Sequence, residues 1–162
     1  KLIHTSIENK FQEGEFLEDY AAILLLITYL QEETQNFEED LNLFYKLIQK
    51  FKKNNVWFEA NNKDFIPIEA KYFDHPIPSS VSMSEMAILR SKILLGDDYL
   101  DNEMFKNIMN FDFLNLSIFI KNGNFHIIDS QEKIDWNNLS INSIQKRGKK
   151  TIDCYKGVCK EL

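Results

Sequence analysis

Phe16-Leu17-Glu18-Asp19-Tyr20-Ala21-Ala22-Ile23-Leu24-Leu25-Leu26-Ile27-Thr28-Tyr29-Leu30 decides the fold, because it has a helical period and no polar face after its first turn. Leu17, Ala21, Leu24, Leu25 and Thr28 share one side, while Ala22, Ile23, Leu26, Ile27 and Tyr29 fill the other. A helix apolar all round is expected to be buried all round. The next segment is different: Phe37, Leu41, Phe44, Ile48 and Phe51 step by four and three, and Glu38, Glu39, Asn42, Gln49 and Lys50 take the opposite face. Acidic residues open it and Lys50, Lys52 and Lys53 close it, as the helix dipole favours. A buried helix joined by a short polar loop to an outer amphipathic helix makes an αα-hairpin over Phe16 to Lys53.

Working outward, Lys1 to Glu15 lacks a helical period and reads as an entry arm. Val56 to Glu59 is a brief strand-like run, followed by a loop over Asn61 to Ser80 in which Pro67, Pro76 and Pro78 forbid a continuous helix. Ser82 with Glu85 matches a capping box, with Val81 and Met86 as its staple, and the helix so opened runs to Gly96. Asp98 then suits the cap of a helix carrying Leu100, Met104, Phe105, Ile108 and Met109, which gives a second hairpin over Ser79 to Phe111. After Phe111 the period changes: Leu114, Leu116, Ile118 and Ile120 alternate, then Asn122-Gly123 precedes Phe125 to Ile128, the pattern of a β-hairpin with a type I′ turn. A short polar helix or loop is expected near Asn137 to Lys150, and a last strand enters Cys154. The fold class is mainly α with a small β portion: αα-hairpins over residues 1–112, then a short α/β tail with a β-hairpin over 113–162.

The chain's 162 residues are enough for one sizeable core, and a net charge of −6 argues against a general nucleic-acid binder, which needs a clustered positive surface. Lys146, Arg147, Lys149 and Lys150 form one small basic run, read as a solvated loop. The apolar stretch Tyr20 to Leu30 is too short to cross a bilayer and has no signal-peptide flanks, so a soluble protein without membrane partners is expected. Two cysteines are too few for a secreted disulfide scaffold and suit a reducing cytoplasm. The first residue is Lys1 rather than Met, so the chain reads as processed or cut from something longer.

Several of these phrases together resemble one family. Phe16-Leu17-Glu18-Asp19-Tyr20-Ala21 looks like the opening of a late inner helix in thioredoxin-domain-containing proteins related to the spermatogenesis-associated thioredoxin-like protein. Val56-Trp57-Phe58-Glu59-Ala60 stands where that family has a strand rich in glycine and aromatic residues. Phe73 to Ser82 resembles its tyrosine-aspartate and proline-serine-glycine-asparagine-serine phrase, matching at Asp74, Pro78, Ser79 and Ser82, with Ser80 and Val81 in place of glycine and asparagine. Leu89-Arg90 continues the pattern, and Cys154 and Cys159 resemble its C-terminal cysteine pair. The resemblance implies that the hairpins are the end of an (α/α)6 toroid, similar to six-hairpin glycosidases and N-acylglucosamine 2-epimerases. The rest of the toroid and a thioredoxin-like domain would lie in the parent.

The resemblance implies a carbohydrate pocket, in which Glu18, Asp19 and Asp74 are candidate catalytic carboxylates, since sugar chemistry commonly uses two. Any activity would be glycosidase- or epimerase-like and would belong to the intact parent. Tyr20 and Ser79 are candidate substrate-binding residues. Each has a plainer reading, because carboxylates and serines at a helix start serve as caps and an aromatic within an apolar helix is commonly core. The second function is a redox-associated interaction module using Cys154 and Cys159, which either pair through a turn at Lys156-Gly157 or stay reduced and structural. His4, His75 and His126 form no ligand-spaced cluster, so neither a metal nor a cofactor is expected. Expected partners are a sugar, the missing parts of the parent and another copy meeting exposed toroid edges.

Overall fold

A computed structural model describes residues 2, 6–7, 10–11, 14–61, 66–100, 112–135, 137 and 142–162. These residues are mainly helical, with a small β portion. A ribbon of β1 (Ser6–Ile7) and β2 (Lys10–Phe11) leads to α1 (Leu17–Thr34), which Gln35 ends in the left-handed conformation. Glu18 and Asp19 occupy its first turn, where the dipole favours them. The loop back to α2 (Glu38–Ile48) is held by the Gln31 side chain, whose oxygen accepts the Phe37 amide at 2.7 Å.

The outer helix is shorter than its pattern suggests. After one 3-10 turn, Lys52 and Lys53 form β3 (Lys52–Lys53), paired with β4 (Val56–Trp57) around Asn54 and Asn55, both at positive φ. Two asparagines at positive φ give the tight turn a two-residue hairpin requires.

α3 (Ser80–Leu95) begins three residues before the expected capping box. Ser79 is its cap, accepting the Ser82 amide at 3.1 Å. Glu85 does not reach back to a cap. One of its oxygens accepts Lys52 Nζ and Trp57 Nε1, both at 2.8 Å, and the other accepts Lys121 Nζ at 3.2 Å. At the other end, Gly96 closes the helix at φ 81 as expected.

The first arm of the β-hairpin expected across Asn122-Gly123 is a helix instead, α4 (Asp112–Lys121), while the second arm does fall in a strand, His126–Ser130. Asn-Gly still supplies the left-handed residue, but at a helix end: Gly123, at φ 74, donates to the Ile120 carbonyl. The alternation of leucines and isoleucines coexists with a helical face of Phe113, Ser117 and Ile120, of which Ser117 and Ile120 are buried. Leu100 is not helical, and the rest of the expected helix, including Met104, Phe105, Ile108 and Met109, lies outside the described residues. Among the described residues, α4 packs on α3 beside α1 and α2.

The tail is a four-stranded sheet of order β6-β5-β7-β8, built from β5 (His126–Ser130), β6 (Ser143–Arg147), β7 (Ile152–Tyr155) and β8 (Val158–Glu161). β6 runs parallel to β5, and the other pairs are antiparallel. Within the polar helix or loop expected near Asn137 to Lys150, Ser143 to Arg147 is a strand and carries Lys146 and Arg147 of the basic run, whereas Gly148 to Lys150 is a loop and residues 138–141 lie outside the described residues. The strand escapes a hydrophobicity count because Ser143 and Gln145 are buried beside Ile144, their polarity met by hydrogen bonds.

Two apolar clusters meet along α3. One gathers α1, α2 and the β3–β4 ribbon around Tyr20, Leu24, Phe51 and Trp57. The other joins Met86, Leu89 and Ile93 of α3 to Ile120 of α4 and Ile127 and Ile144 of the sheet. A buried polar joint fastens them: the Arg90 guanidinium bonds Glu32 Oε2 and donates to Thr28 Oγ1 at 3.0 Å, and Glu32 Oε1 accepts the Gln145 amide at 2.8 Å. α1 itself is not buried all round, since Ala22, Leu26 and Tyr29 form an exposed stripe. No helix among the described residues is long and apolar enough to cross a membrane.

Candidate functional site

α1 and α3 run in the same direction, because residues near both N-termini meet Glu59 while Thr28 and Glu32, further along α1, meet Arg90. Glu59 is placed between them by two short backbone pairings. Its carbonyl accepts the Leu17 amide at 2.8 Å, and its amide donates to the Ile68 carbonyl at 2.9 Å, where the proline loop folds back. Its carboxylate accepts the Ser80 hydroxyl at 3.2 Å and the Lys71 amide at 3.4 Å.

A cleft of about 460 Å³ opens there. Glu18 and Glu59 supply carboxylates to its wall, and Lys71 and His75 supply nitrogen groups. Phe73 and Ile77 add apolar surface, with the His75 ring edge-on to Phe73 at 5.2 Å between centroids. Two aligned helix N-termini favour anionic groups at this end. The lining can accept hydrogen bonds through its carboxylates and cover a carbon skeleton with its apolar wall.

The residues named from sequence divide between this cleft and other surroundings. Glu18 and Ser79 line it. The Ser79 hydroxyl is engaged in capping and also donates to the Tyr72 carbonyl at 3.1 Å. Asp19 is half-buried in the first turn of α1 and does not line the cleft. Asp74 stands behind it, accepting the Ser79 amide at 2.7 Å on one oxygen and the Phe113 amide at 3.2 Å on the other. Burial would raise the Asp74 pKa, but these amides and the Ser82 and Ser79 hydroxyls outweigh it and hold the carboxyl below its ordinary range. An ionised clasp between the proline loop, α3 and α4 results.

Tyr20 faces away, toward α2. Its ring is buried beside Phe44 and Phe51, its hydroxyl donates to Glu15 at 2.7 Å, and Lys50 Nζ sits 3.9 Å from the ring centroid. Cys154 and Cys159 are directly opposed on β7 and β8 and form a disulfide, with Cα atoms 4.0 Å apart, just under the usual range. Lys156 and Gly157, both at positive φ, make the turn between them.

Nothing in the sequence groups Glu59, Lys71 and His75. They converge only through the isolated pairing of Phe58 with Glu69 and the return of the proline loop. The one available signal is Glu59 itself, a carboxylate ending a strand-like run just before that loop. No family model matches the chain, and no curated protein matches it.

Proposed function

We propose that the chain is the C-terminal part of a thioredoxin-like/α-α-toroid protein and contributes the wall of a carbohydrate-binding or carbohydrate-modifying pocket. The observation that carries this reading is the convergence of Glu18, Glu59 and the half-exposed Phe73 ring on one cleft at the shared N-terminal end of α1 and α3. Sugar hydroxyls donate to the two carboxylates, and the C–H face of the ring lies on Phe73 and Ile77. In the intact parent such a carboxylate pair serves either binding or glycosidase- or epimerase-like chemistry. The protein is cytoplasmic in this reading, and the open stripe of α1 is covered by a preceding hairpin of the parent or by another copy. A panel of neutral monosaccharides tested by thermal shift and NMR on wild type and Glu59→Gln checks it. Saturable shifts at Glu18, Lys71 and His75 that vanish in the variant are expected, whereas a panel without effect overturns it.

The disulfide favours a second reading, a redox-associated interaction module. In a reducing cytoplasm a disulfide is usually transient or catalytic rather than structural. Cys159 is exposed on β8, with Lys156 and Lys160 nearby in sequence. Trapping a mixed disulfide between Cys159 and a thioredoxin-like domain, in Cys154→Ser protein that binds no sugar, selects this reading over the first. Absence of any mixed disulfide removes it.

A further inference from the structure

A second and larger opening, about 610 Å³, lies between α2 and the flank of α3 that bears Glu85, Ile88 and Lys92. Its charge is opposite to the first. Lys46, Lys52, Lys92 and Lys121 line it against two carboxylates, Glu85 and Asp98, in a chain whose net charge is −6. Glu85 is turned into a socket where three donors occupy its two oxygens, so its charge is already compensated. Burial would raise its pKa, but Lys121, Lys52 and the Trp57 indole bring it down to about 2, and it stays ionised.

The four lysines are not equivalent. Lys52 and Lys121 each give one donor to Glu85, which fixes the ammonium group and leaves N–H donors free for the groove. Among the described residues, the ammonium groups of Lys46 and Lys92 have no ion-pair or hydrogen-bond partner, although Lys92 is half-buried. Tyr45 and Tyr99 add phenols to the same lining. Burial first, then the charges of Asp97 and Asp98 respectively, push their pKa values up, so both are neutral O–H donors. Ile88, Leu89 and Leu100 supply apolar surface.

We propose that this groove binds a small phosphorylated organic molecule. Its phosphate oxygens accept from Lys92 and Lys46 and from the phenols of Tyr45 and Tyr99, and its carbon body lies on Ile88 and Leu100. The Glu85 socket acts as a positioning element that holds Lys52 and Lys121 at the edge of the anion. Charge-assisted hydrogen bonds of this kind are roughly twice as strong as neutral ones, and several converging donors are what a phosphate selects. The proposal is independent of the carbohydrate reading: it concerns a different opening, of different charge.

The test is an NMR titration of the 162-residue chain with inorganic pyrophosphate at constant ionic strength, repeated on Lys46→Gln/Lys92→Gln and on Lys92→Arg. Saturable shifts centred on Lys46, Lys92 and Tyr99 are expected. The double variant should bind about tenfold more weakly with an unchanged melting temperature, and Lys92→Arg should retain binding, as loss of charge-assisted bonds predicts. Three results would each overturn the proposal: no saturation by about 10 mM pyrophosphate, far weaker than a site of this kind should give; equal binding by the double variant; or shifts spread equally over Lys149, Lys150 and Lys160.

Discussion

α1 and α3 both lack a clear polar face in sequence, yet of the two only α3 is enclosed. It is covered by α1, α2, α4 and β6, and nine of its residues from Val81 to Ile93 are buried, Ser82, Ser84, Arg90 and Ser91 among them. α1 has α2, α3 and, at its C-terminal end, β6 against it, and leaves Ala22, Leu26 and Tyr29 open, with Leu26 56% exposed. The all-round apolar pattern of α1 therefore does not by itself make the helix enclosed among the described residues. Polar content is no better a guide. Enclosed α3 carries four serines and an arginine, each of the buried ones answered by a partner, whereas the open stripe of α1 carries none of these.

The sharpest contrast is at Arg90. Arg90→Ala leaves Glu32 as a buried, partly compensated charge and should cost about 4 kcal/mol in chemical denaturation, the range for breaking one side of a buried pair. Next comes a matched pair of truncations. Leu89→Ala on α3 should cost about 3 kcal/mol, and Leu26→Ala on α1 less than about 0.5 kcal/mol. Equal costs would show that the α1 stripe is covered in solution, which breaks the contrast.

Acid should act on α3 through Glu85. Its folded pKa is about 2 against an ordinary 4.5, so the stabilisation is fully present above pH 4.5 and is lost as pH falls toward 2. Over that window roughly 2–3 kcal/mol should disappear, and Glu85→Gln should flatten the profile. The smallest effect on folding, and the most direct test of the open stripe, is Leu26→Lys. Sedimentation should show wild type self-associating at micromolar concentration and the variant monomeric, with nearly the same melting temperature. Strictly monomeric wild type would count against coverage by a second copy.

The first hairpin was legible because α1 and α2 are long and their patterns local. α3 was legible in extent, but its start was displaced from Ser82 to Ser79, since a serine three residues before a glutamate is a capping signal even where the glutamate is pulled elsewhere by Lys52, Trp57 and Lys121. The patterns of α4 and β6 mislead for opposite reasons. α4 has an apolar alternation that also fits a helix, ended by an Asn-Gly that serves helix ends as well as turns, and β6 is a buried strand with one strongly apolar residue, Ile144. Of the cleft, Glu18 and Ser79 could be named because each opens a helix; Glu59, Lys71 and His75 could not, because only a tertiary fold-back brings them together.

The final hairpin has a mechanical consequence. Tension applied at the C-terminus first meets the pairings of Leu162, Glu161 and Lys160 with β7 and its start; once these part it crosses from Cys159 to Cys154, so the intervening turn carries no load while the disulfide holds. Extended, the five residue steps from Cys154 to Cys159 span about 17 Å at roughly 3.4 Å per residue. The closed Cα separation is 4.0 Å. Once the β7–β8 pairing is pulled open, reduction therefore makes roughly 13 Å of further contour length available, and a single-molecule pull would register the thiol state of this pair as a step in extension.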